Sequence, residues 1–468
     1  MDFRLESDSI GEKKVPKDAY YGVQSLRGKE NFKITGKTLH REMIIALAMI
    51  KKAAAISNHQ AGVLSDEVKD AIVKASDEII AGKFHDEFIC DPIQGGAGTT
   101  ANMNANEVIA NRAEEILGGE KGSYSKVHPN DHVNMAQSTN DVYPTSGKLG
   151  AIFLSKKLFE QVDKLTEALD KKAKEFDKVI KMGRTQLQDA VPIRLGQEFL
   201  SYRDLFIRDE RRIKYAIEDL KNINMGASAI GTGINVSEEY LAAITENLSK
   251  ISGLDLKRSE NLVDGTCNLD CLLFFSSSLK TMAVNLSKMS NDFRLLSSGP
   301  RTMVGDINLP PKQNGSSIMP GKVNPVIPEV VNQAAFKVIG NDVTIGLCAE
   351  GGQLQLNAFE PVLFYSLFES IEVLTGAIDT LVVNCIEGIT ANEEKLKEDV
   401  EKSTGIITAL VPHIGYTHSA RIAKESLRTG EKVRSILERE KLLTKEEIDK
   451  ILDPFNMTTP GIVREHLL

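Results

Sequence analysis

Apolar side chains recur every three or four residues over much of this chain, which is the spacing of one face of an α-helix. One stripe begins at Leu158 and ends at Ile180, and it predicts a helix over residues 147–181. A second stripe runs from Leu272 to Leu296, where serine, alanine and asparagine fill much of the rest. Further long helices are predicted by three more periodic segments, 197–220, 329–348 and 359–385. Strand signals are sparse and short, so we expect an all-α dominated protein.

Helices of this length are typical of a bundle, here roughly 50 Å long because each residue adds about 1.5 Å. The helix of the second stripe carries few charges around its circumference and therefore needs burial on most sides. A single bundle does not offer that much cover. We therefore expect subunits to associate bundle against bundle as an obligate oligomer.

Breaks and charges divide the chain into three predicted domains. Residues 1–138 hold shorter helices interrupted by glycine, proline and asparagine. Residues 139–393 hold the long helices, and residues 394–468 consist of short charged helices, such as one predicted over 444–452. Within the central domain, residues 298–325 contain too many glycines and prolines for a helix. Loops this long are usually functional, and we call residues 298–325 the lid segment.

Composition and charge argue against several classes of protein. The net charge is −8 and no basic patch occurs, which argues against nucleic acid as a partner. No apolar run reaches the roughly 18 residues of a membrane span, and the first residues lack the apolar centre of a secretory signal. The five cysteines are scattered without CxxC pairs, as is typical of reduced thiols. We therefore expect a cytoplasmic protein.

Two pairs of residues have the spacing of metal ligands, but a simpler interpretation is favoured for each. Cys267 and Cys271 could share a helix face, yet no histidine lies near them in the sequence. His128 and His132 are four residues apart, but Pro129 would fall inside the turn that joins them. We expect no metal site at either pair.

Four polar clusters fall in breaks between the predicted helices. Each gathers small hydroxyl or amide side chains, and they span residues 95–100, 137–141, 183–189 and 315–324. Any one alone is more simply a helix cap or a turn. Together, and with the lysine and asparagine of the fourth cluster, they indicate a carboxylate site, because successive N–H groups in glycine-rich turns bind anions. None of the eight histidines lies in a cluster, which argues against a histidine triad or a metal hydrolase.

The fourth cluster, Gly315 to Asn324 with the sequence GSSIMPGKVN, is called the serine loop below. It resembles the signature of the aspartase/fumarase superfamily of lyases, and the other clusters follow in that superfamily's order. The resemblance covers essentially the whole chain. It is strongest to the aspartase (aspartate ammonia-lyase) branch in four runs, 18–24, 91–98, 137–141 and 324–329.

The resemblance implies a three-domain fold with a central bundle of five long helices. It also implies a homotetramer with a twenty-helix core and active sites shared between three subunits, in agreement with the charge-poor helix. The implied reaction is reversible anti elimination of ammonia from L-aspartate, which gives fumarate through an aci-carboxylate intermediate. No cofactor is required by this chemistry, and activation by Mg²⁺ is compatible with it because some aspartases show it.

Site residues are assigned through the same resemblance. Ser316 would be the general base, and the backbone donors of the serine loop together with Lys322 would make its hydroxyl more acidic when the lid segment closes over substrate and excludes water. Contacts to the β-carboxylate are implied for Thr99, Ser138, Thr139 and Ser317. Contacts to the α-carboxylate are implied for Lys322, Asn324 and Thr185. Two amide side chains would face the amino group, Asn140 and Gln186.

Gln186 is the residue that best separates the branches of the superfamily. Fumarases, which eliminate water, carry histidine at this position and pair it with a glutamate that corresponds to Glu329. At Thr139, fumarases commonly carry a second serine. Both differences favour the ammonia-lyase reaction. Fumarate hydratase and a non-catalytic structural role, as in lens proteins on this scaffold, stay open as alternatives.

Overall fold

The computed structural model describes residues 2–462, and helices dominate it. In chain order the helices are α1 (Val23–Asn31), α2 (Arg41–Gln60), α3 (Asp66–Ile80), α4 (Thr99–Ile116), α5 (Thr139–Glu175), α6 (Leu195–Leu220), α7 (Glu238–Ser252), α8 (Leu262–Cys267), α9 (Asp270–Leu296), α10 (Val326–Glu350), α11 (Glu360–Asn384), α12 (Glu393–Lys402), α13 (Val411–Ile414), α14 (Tyr416–Thr429), α15 (Val433–Glu440) and α16 (Lys445–Ile451). Short 3₁₀ turns occupy His85–Glu87, Ile386–Gly388, Thr404–Leu410 and Asn456–Thr458, and one π turn occupies Pro129–Val133.

Strands are short and form four separate two-stranded sheets within residues 2–462. The pairs are β1 (Phe3–Asp8) with β2 (Gly11–Pro16), β3 (Ile180–Thr185) with β4 (Gln188–Arg194), β5 (Asn222–Ile223) with β6 (Lys257–Arg258), and β7 (Ile307–Asn308) with β8 (Thr390–Ala391). The sparse strand signals of the sequence agree with this. In the part of the chain that the structure describes, no helix has the length and apolar character to cross a membrane.

Two compact units make up the structure. Unit 1 consists of residues 1–160, 209–284 and 334–375, and unit 2 consists of residues 161–208, 285–333 and 376–468. The helices α5 and α12 begin at Thr139 and Glu393, close to the boundaries drawn from the sequence. The division into three domains stays a prediction.

Five long helices carry most of the apolar pattern. They are α5, α6, α9, α10 and α11, with 37, 26, 27, 25 and 25 residues. Every side chain of the stripe from Leu272 to Leu296 is buried on α9, as its spacing predicts. The prediction of a helix-dominated fold with long helices is confirmed.

The first stripe continues past the end of its helix. We predicted a helix to residue 181, but α5 ends at Glu175 and β3 begins at Ile180. The N–H of Gly196 bonds to the carbonyl of Phe176 at 3.0 Å, which closes the turn. Phe176 is still buried after the helix has ended, so the apolar spacing gave no signal of the break.

Helix α4 is held against the N-terminal segment by one buried carboxylate. Glu107 accepts hydrogen bonds from the backbone N–H groups of Gly22, Gln24 and Ser25 at 2.9, 2.9 and 3.0 Å. These N–H groups belong to the first turn of α1, where they have no partner within the helix. The partial positive charge of a helix N-terminus also favours a negative charge there. The start of α1 is thereby fixed to the helix that carries Thr99.

Candidate active site

Helix α4 begins immediately after three residues in the left-handed conformation. Gly96, Ala97 and Gly98 have φ of 83°, 55° and 89°. A Cβ atom on Gly98 would lie 2.4 Å from the ring of Tyr143, so only glycine fits there. Thr99 is the first helical residue, and its hydroxyl donates to the carbonyl of Gly96 at 2.7 Å. The turn therefore presents a helix N-terminus with its partial positive charge beside Thr99.

Helix α5 begins with a reciprocal cap. The hydroxyl of Ser138 accepts the N–H of Asn140 at 3.2 Å, and the carboxylate of Asp141 accepts the N–H of Ser138 at 3.0 Å. This is the arrangement of a capping box, with aspartate in place of the usual glutamate. The capping interpretation of this cluster is therefore correct for Ser138, and its hydroxyl proton is still free to be donated.

The structure brings the starts of α4 and α5 together in unit 1. Asn102, one turn after Thr99, donates to the hydroxyl of Thr139 at 3.2 Å. Asn140 donates its side-chain amide to the carbonyl of Ala229 at 2.7 Å, which holds it at the start of α5. Two helix N-termini and three small polar side chains thus lie in one region.

A buried lysine that we did not predict supports this region. Lys51 of α2 has no exposed surface, and its ammonium donates to the side-chain oxygens of Asn102, Asn134 and Gln137 at 2.8, 3.0 and 2.9 Å. The sequence did contain a signal, because Lys51 falls on the buried face of α2 that also holds Leu47.

Asp141 carries the opposite charge on the other side of the segment 137–141. Its second carboxylate oxygen accepts the N–H groups of Gly226 and Ser228 at 3.2 and 3.1 Å. Burial raises the pKa of Asp141 to about 7, and burial lowers the pKa of Lys51 to about 7. Each charge offsets part of this effect on the other group, because Lys51 lowers the pKa of Asp141 and Asp141 raises the pKa of Lys51.

The third cluster lies in a β-hairpin of unit 2, where we predicted a break between helices. β3 and β4 pair antiparallel, with Thr185 opposite Gln188 and a two-residue turn between them. The turn residues, Gln186 and Leu187, have φ of 54° and 64° although neither is glycine. Thr185 and Gln186 therefore lie at the exposed tip of the hairpin.

The serine loop is closed at its base. The side-chain amide of Asn324 donates to the carbonyl of Gly315 at 2.8 Å. A Cβ atom on Gly315 would lie 1.9 Å from the carbonyl oxygen of Lys322, so the two ends of the loop touch. We call this closure the neck. Part of the Asn324 amide, which we assigned to the substrate, is thus used within the loop.

Within the loop, Ser316 is the acceptor of two backbone donors. Its hydroxyl oxygen accepts the N–H groups of Ile318 and Met319 at 3.2 and 3.1 Å. Ser317 and Lys322 are exposed, and the loop lines a cavity of about 620 Å³ that both of them border. The loop therefore presents a hydroxyl, a second serine and a cation to one open space.

The predicted site residues fall into two sets, and each set is described within its own unit. Unit 1 holds the set at the starts of α4 and α5, namely Thr99, Ser138, Thr139 and Asn140. Unit 2 holds the hairpin and serine-loop set, namely Thr185, Gln186, Ser316, Ser317, Lys322 and Asn324. Glu329 lies in the first turn of α10, also in unit 2.

Neither pair with metal-like spacing forms a shared ligand set. Cys267 ends α8 whereas Cys271 lies in α9, so the alternative of one helix face is wrong. The Nδ1 atoms of His128 and His132 both accept backbone N–H groups, and Pro129 takes the first position of the π turn, where no N–H is needed. Among residues 2–462 there is no group of three or more histidine, cysteine or acidic residues that could hold a metal ion.

Comparison with known proteins adds to this geometry. Residues 11–340 match the family model described as lyase, and residues 406–459 match the model described as fumarase C C-terminus. An aspartate ammonia-lyase from Bacillus sp is 54% identical over 98% of this chain and 98% of its own length. A crystal structure of fumarate lyase:delta crystallin from Brucella melitensis bound to cobalt has a TM-score of 0.96 at 47% identity, covering 98% of this chain and all of that one. A class II fumarase from Schistosoma mansoni has a TM-score of 0.94 at 36% identity, with the same coverage.

Proposed function

We propose that this chain, which belongs to the lyase family, eliminates ammonia from L-aspartate to give fumarate. The elimination is anti and reversible. Membership rests on a family model that matches residues 11–340. The reaction is supported by the aspartate ammonia-lyases that share about half of their residues with almost the whole chain. The observation that carries the mechanism is the pair of backbone donors on the hydroxyl oxygen of Ser316.

Ser316 acts as the general base in this proposal. A serine hydroxyl is a poor base near neutral pH unless its alkoxide is stabilised. The N–H groups of Ile318 and Met319 already point at that oxygen, and hydrogen bonds of this kind become stronger when the acceptor carries a full negative charge. The cation of Lys322 lies in the same loop and favours the same charge. The loop thus supplies what the removal of the β-proton requires.

The β-carboxylate gains a second negative charge when the proton leaves. Thr99 at the start of α4 and Ser138 with Thr139 at the start of α5 are suited to that charge, because helix N-termini carry partial positive charge and unsatisfied N–H groups. Ser317 adds a donor from the serine loop. These groups stabilise the aci-carboxylate more than the ground-state carboxylate, and such a difference lowers the barrier.

The α-carboxylate and the amino group are assigned to the remaining residues. Lys322, Asn324 and Thr185 bind the α-carboxylate, while Asn140 and Gln186 face the amino group. The leaving group is an ammonium, so it departs as ammonia without a strong general acid. Gln186 in place of histidine favours this reaction over the elimination of water.

We further propose that the enzyme is a homotetramer whose active sites are each shared between three subunits. Support comes from α10, where Phe336, Val343 and Leu347 are 61%, 62% and 66% exposed although their spacing places them on one face. A long helix with such a face is suited to burial against another copy of the chain. We place the enzyme in the cytoplasm, where free cysteines such as Cys348 stay reduced.

No cofactor enters the proposed chemistry, and Mg²⁺ is proposed only as an activator. In the proposed mechanism it takes no part in proton removal or in the departure of ammonia. Its effect is therefore expected on the amount of active enzyme or on substrate affinity.

The test is a comparison of substrates and variants on one preparation. The absorbance of fumarate formed from L-aspartate is compared with that formed from L-malate, and turnover of malate alone would favour the fumarase alternative. No product from either substrate would favour a structural role. Ser316→Ala should lower kcat by roughly 100-fold or more with the tetramer intact, whereas Gln313→Ala in the same lid segment should not. Near-normal turnover in Ser316→Ala would show that another group is the base.

A further inference from the structure

A buried carboxylate, Asp306, lies in unit 2 where the lid segment meets the hairpin. Its side chain has no exposed surface. It accepts Arg184 at 2.7 Å and Lys181 at 3.0 Å on one carboxylate oxygen, and Arg184 again at 3.4 Å on the other. Asp306 is not among the residues assigned to the reaction. Its contacts nevertheless join two segments that carry such residues.

The first segment is the hairpin. Arg184 immediately precedes Thr185, and the strand pairing is irregular between Met182 and Arg184. Such an irregularity redirects the side chains that follow it, and bulges of this kind are common beside active sites. The planar fork of Arg184 on a carboxylate fixes a direction as well as a distance. Asp306 therefore sets the direction in which the hairpin tip carries Thr185 and Gln186.

The second segment is the part of the lid segment that leads to the serine loop. The N–H of Asp306 donates to the carbonyl of Leu296, the last residue of α9, at 2.7 Å. Its carbonyl accepts the N–H of Asn392 at 3.0 Å, and the next two residues form β7 against β8. The chain is thus fixed at residues 306–308, eight residues before Ser316. We call this fixed stretch the root of the lid segment.

Stability alone is a weak reason to keep such a cluster. Lys181 is nearly fully buried and also contacts Glu198 at 3.0 Å, and Lys395 lies 3.9 Å from Asp306, so two carboxylates and three cations share the site. Well-packed apolar side chains of similar volume are often as stabilising as a buried ion pair. Apolar contacts have no preferred direction, whereas the fork on Asp306 does. The cluster is therefore suited to orientation.

We propose that Asp306 is a positioning residue for the ammonia-lyase reaction. Through its side chain it fixes the hairpin tip that binds the α-carboxylate and faces the amino group. Through its backbone it fixes the root, from which the rest of the lid segment leads to the serine loop. One buried group thereby sets the position of two parts of the site. The inference rests on the proposed function.

Two variants test the side-chain link between Asp306 and the hairpin. Arg184→Gln releases only the hairpin and leaves Asp306 paired with Lys181, so KM for L-aspartate should rise about tenfold or more while kcat changes little. Asp306→Asn should raise KM at least as much, because it weakens the contacts of both Arg184 and Lys181 while the backbone hydrogen bonds of the root stay in place. The KM of the double variant should be no higher than that of Asp306→Asn, since both changes break the same contact between Arg184 and Asp306. Asp177→Asn is the matched control, because it removes the partner of Arg194 at the other end of the same hairpin and should leave both constants within about twofold.

A second measurement is independent of turnover. Amide hydrogen exchange at the hairpin tip, residues 183–189, should become faster in Asp306→Asn and should not change in Asp177→Asn. Wild-type kinetics in folded Arg184→Gln, or effects of the two changes that simply add, would overturn the inference. If Asp306→Asn does not fold, Arg184→Gln still decides whether the hairpin link matters. If the wild-type protein does not act on aspartate, the proposed function fails while the exchange measurement still tests the link.

Discussion

Replacing Lys51 by methionine tests whether the buried lysine holds the site segment 137–141. Lys51→Met keeps the length of the side chain and removes three donated hydrogen bonds and the charge. Asn134 keeps two other donors on its side-chain oxygen, from Asn102 and Asn106 at 3.2 and 3.1 Å. The oxygens of Asn102 and Gln137 that Lys51 contacts lose that donor. Each such loss costs about 1–3 kcal/mol where the group is buried.

The loss of charge has a smaller effect than its burial suggests. A buried carboxylate without its partner is usually worth 3–5 kcal/mol of destabilisation. Burial already raises the pKa of Asp141 to about 7, so this group can take up a proton when Lys51 is removed. We therefore expect a total loss of about 2–6 kcal/mol from the two acceptors, with little added by Asp141. That is a large part of the stability of a typical domain.

The assay is thermal and urea unfolding of Lys51→Met beside Lys52→Met. Lys52 is the next residue and forms a surface ion pair with Asp77 at 2.6 Å, so its loss should cost less than about 1 kcal/mol. kcat/KM for L-aspartate should also fall in Lys51→Met, because Asn102, which donates to the hydroxyl of Thr139, loses its support. If the two variants unfold at the same urea concentration and retain wild-type kinetics, the reasoning about Lys51 is wrong.

Three further predictions concern a glycine, a carboxylate and the metal. Gly98→Ala should abolish stable folding or activity because its Cβ would strike the ring of Tyr143. Gly96→Ala has φ of 83° but would place its Cβ at an ordinary contact distance of 3.8 Å from Thr99, so it should cost only about 1–2 kcal/mol in unfolding experiments. Burial alone would raise the pKa of Glu114, but hydrogen bonds led by that of Ser125 lower it below its usual value. Glu114 therefore stabilises the fold above a pH of about 4.5 and ceases to do so as the pH falls. Between about pH 5 and 3, the melting temperature of the wild type should therefore drop more steeply than that of Glu114→Gln. Parallel curves of melting temperature against pH would contradict this. Treatment with EDTA should leave measurable turnover of L-aspartate at saturating substrate, and added Mg²⁺ should change the amount of active enzyme or the apparent KM. Complete loss of turnover would contradict a metal-free reaction.

The long helices were predictable because one face of each must be apolar along its whole length to be buried. On α9 every stripe residue from Leu272 to Leu296 is buried, so spacing alone located the helix. The end of α5 was not predictable in the same way. Phe176 is buried outside the helix, and a side chain that is buried gives the same apolar signal in either conformation.

The clusters of the candidate site were predictable as regions, whereas their supports were not. The hairpin turn at Gln186 and Leu187 lacks the glycine or asparagine that normally marks two positive φ angles. Lys51 falls on the apolar face of α2, but the three amide oxygens that its ammonium contacts come from other segments, and nothing in the sequence indicated them. Asp306 likewise gains its meaning from Arg184, which is 122 residues away in the sequence.

The neck of the serine loop changes the entropy of closing the site. Bringing the two ends of a flexible loop together costs entropy that grows slowly with the length of the loop. The ten residues from Gly315 to Asn324 already form a closed loop through the Asn324 amide and the contact of Gly315 with Lys322. The neck therefore holds the two ends of the loop together before substrate binds. Substrate binding then has about 2 kcal/mol less loop-closure entropy to overcome than it would if the two ends of a ten-residue loop were free.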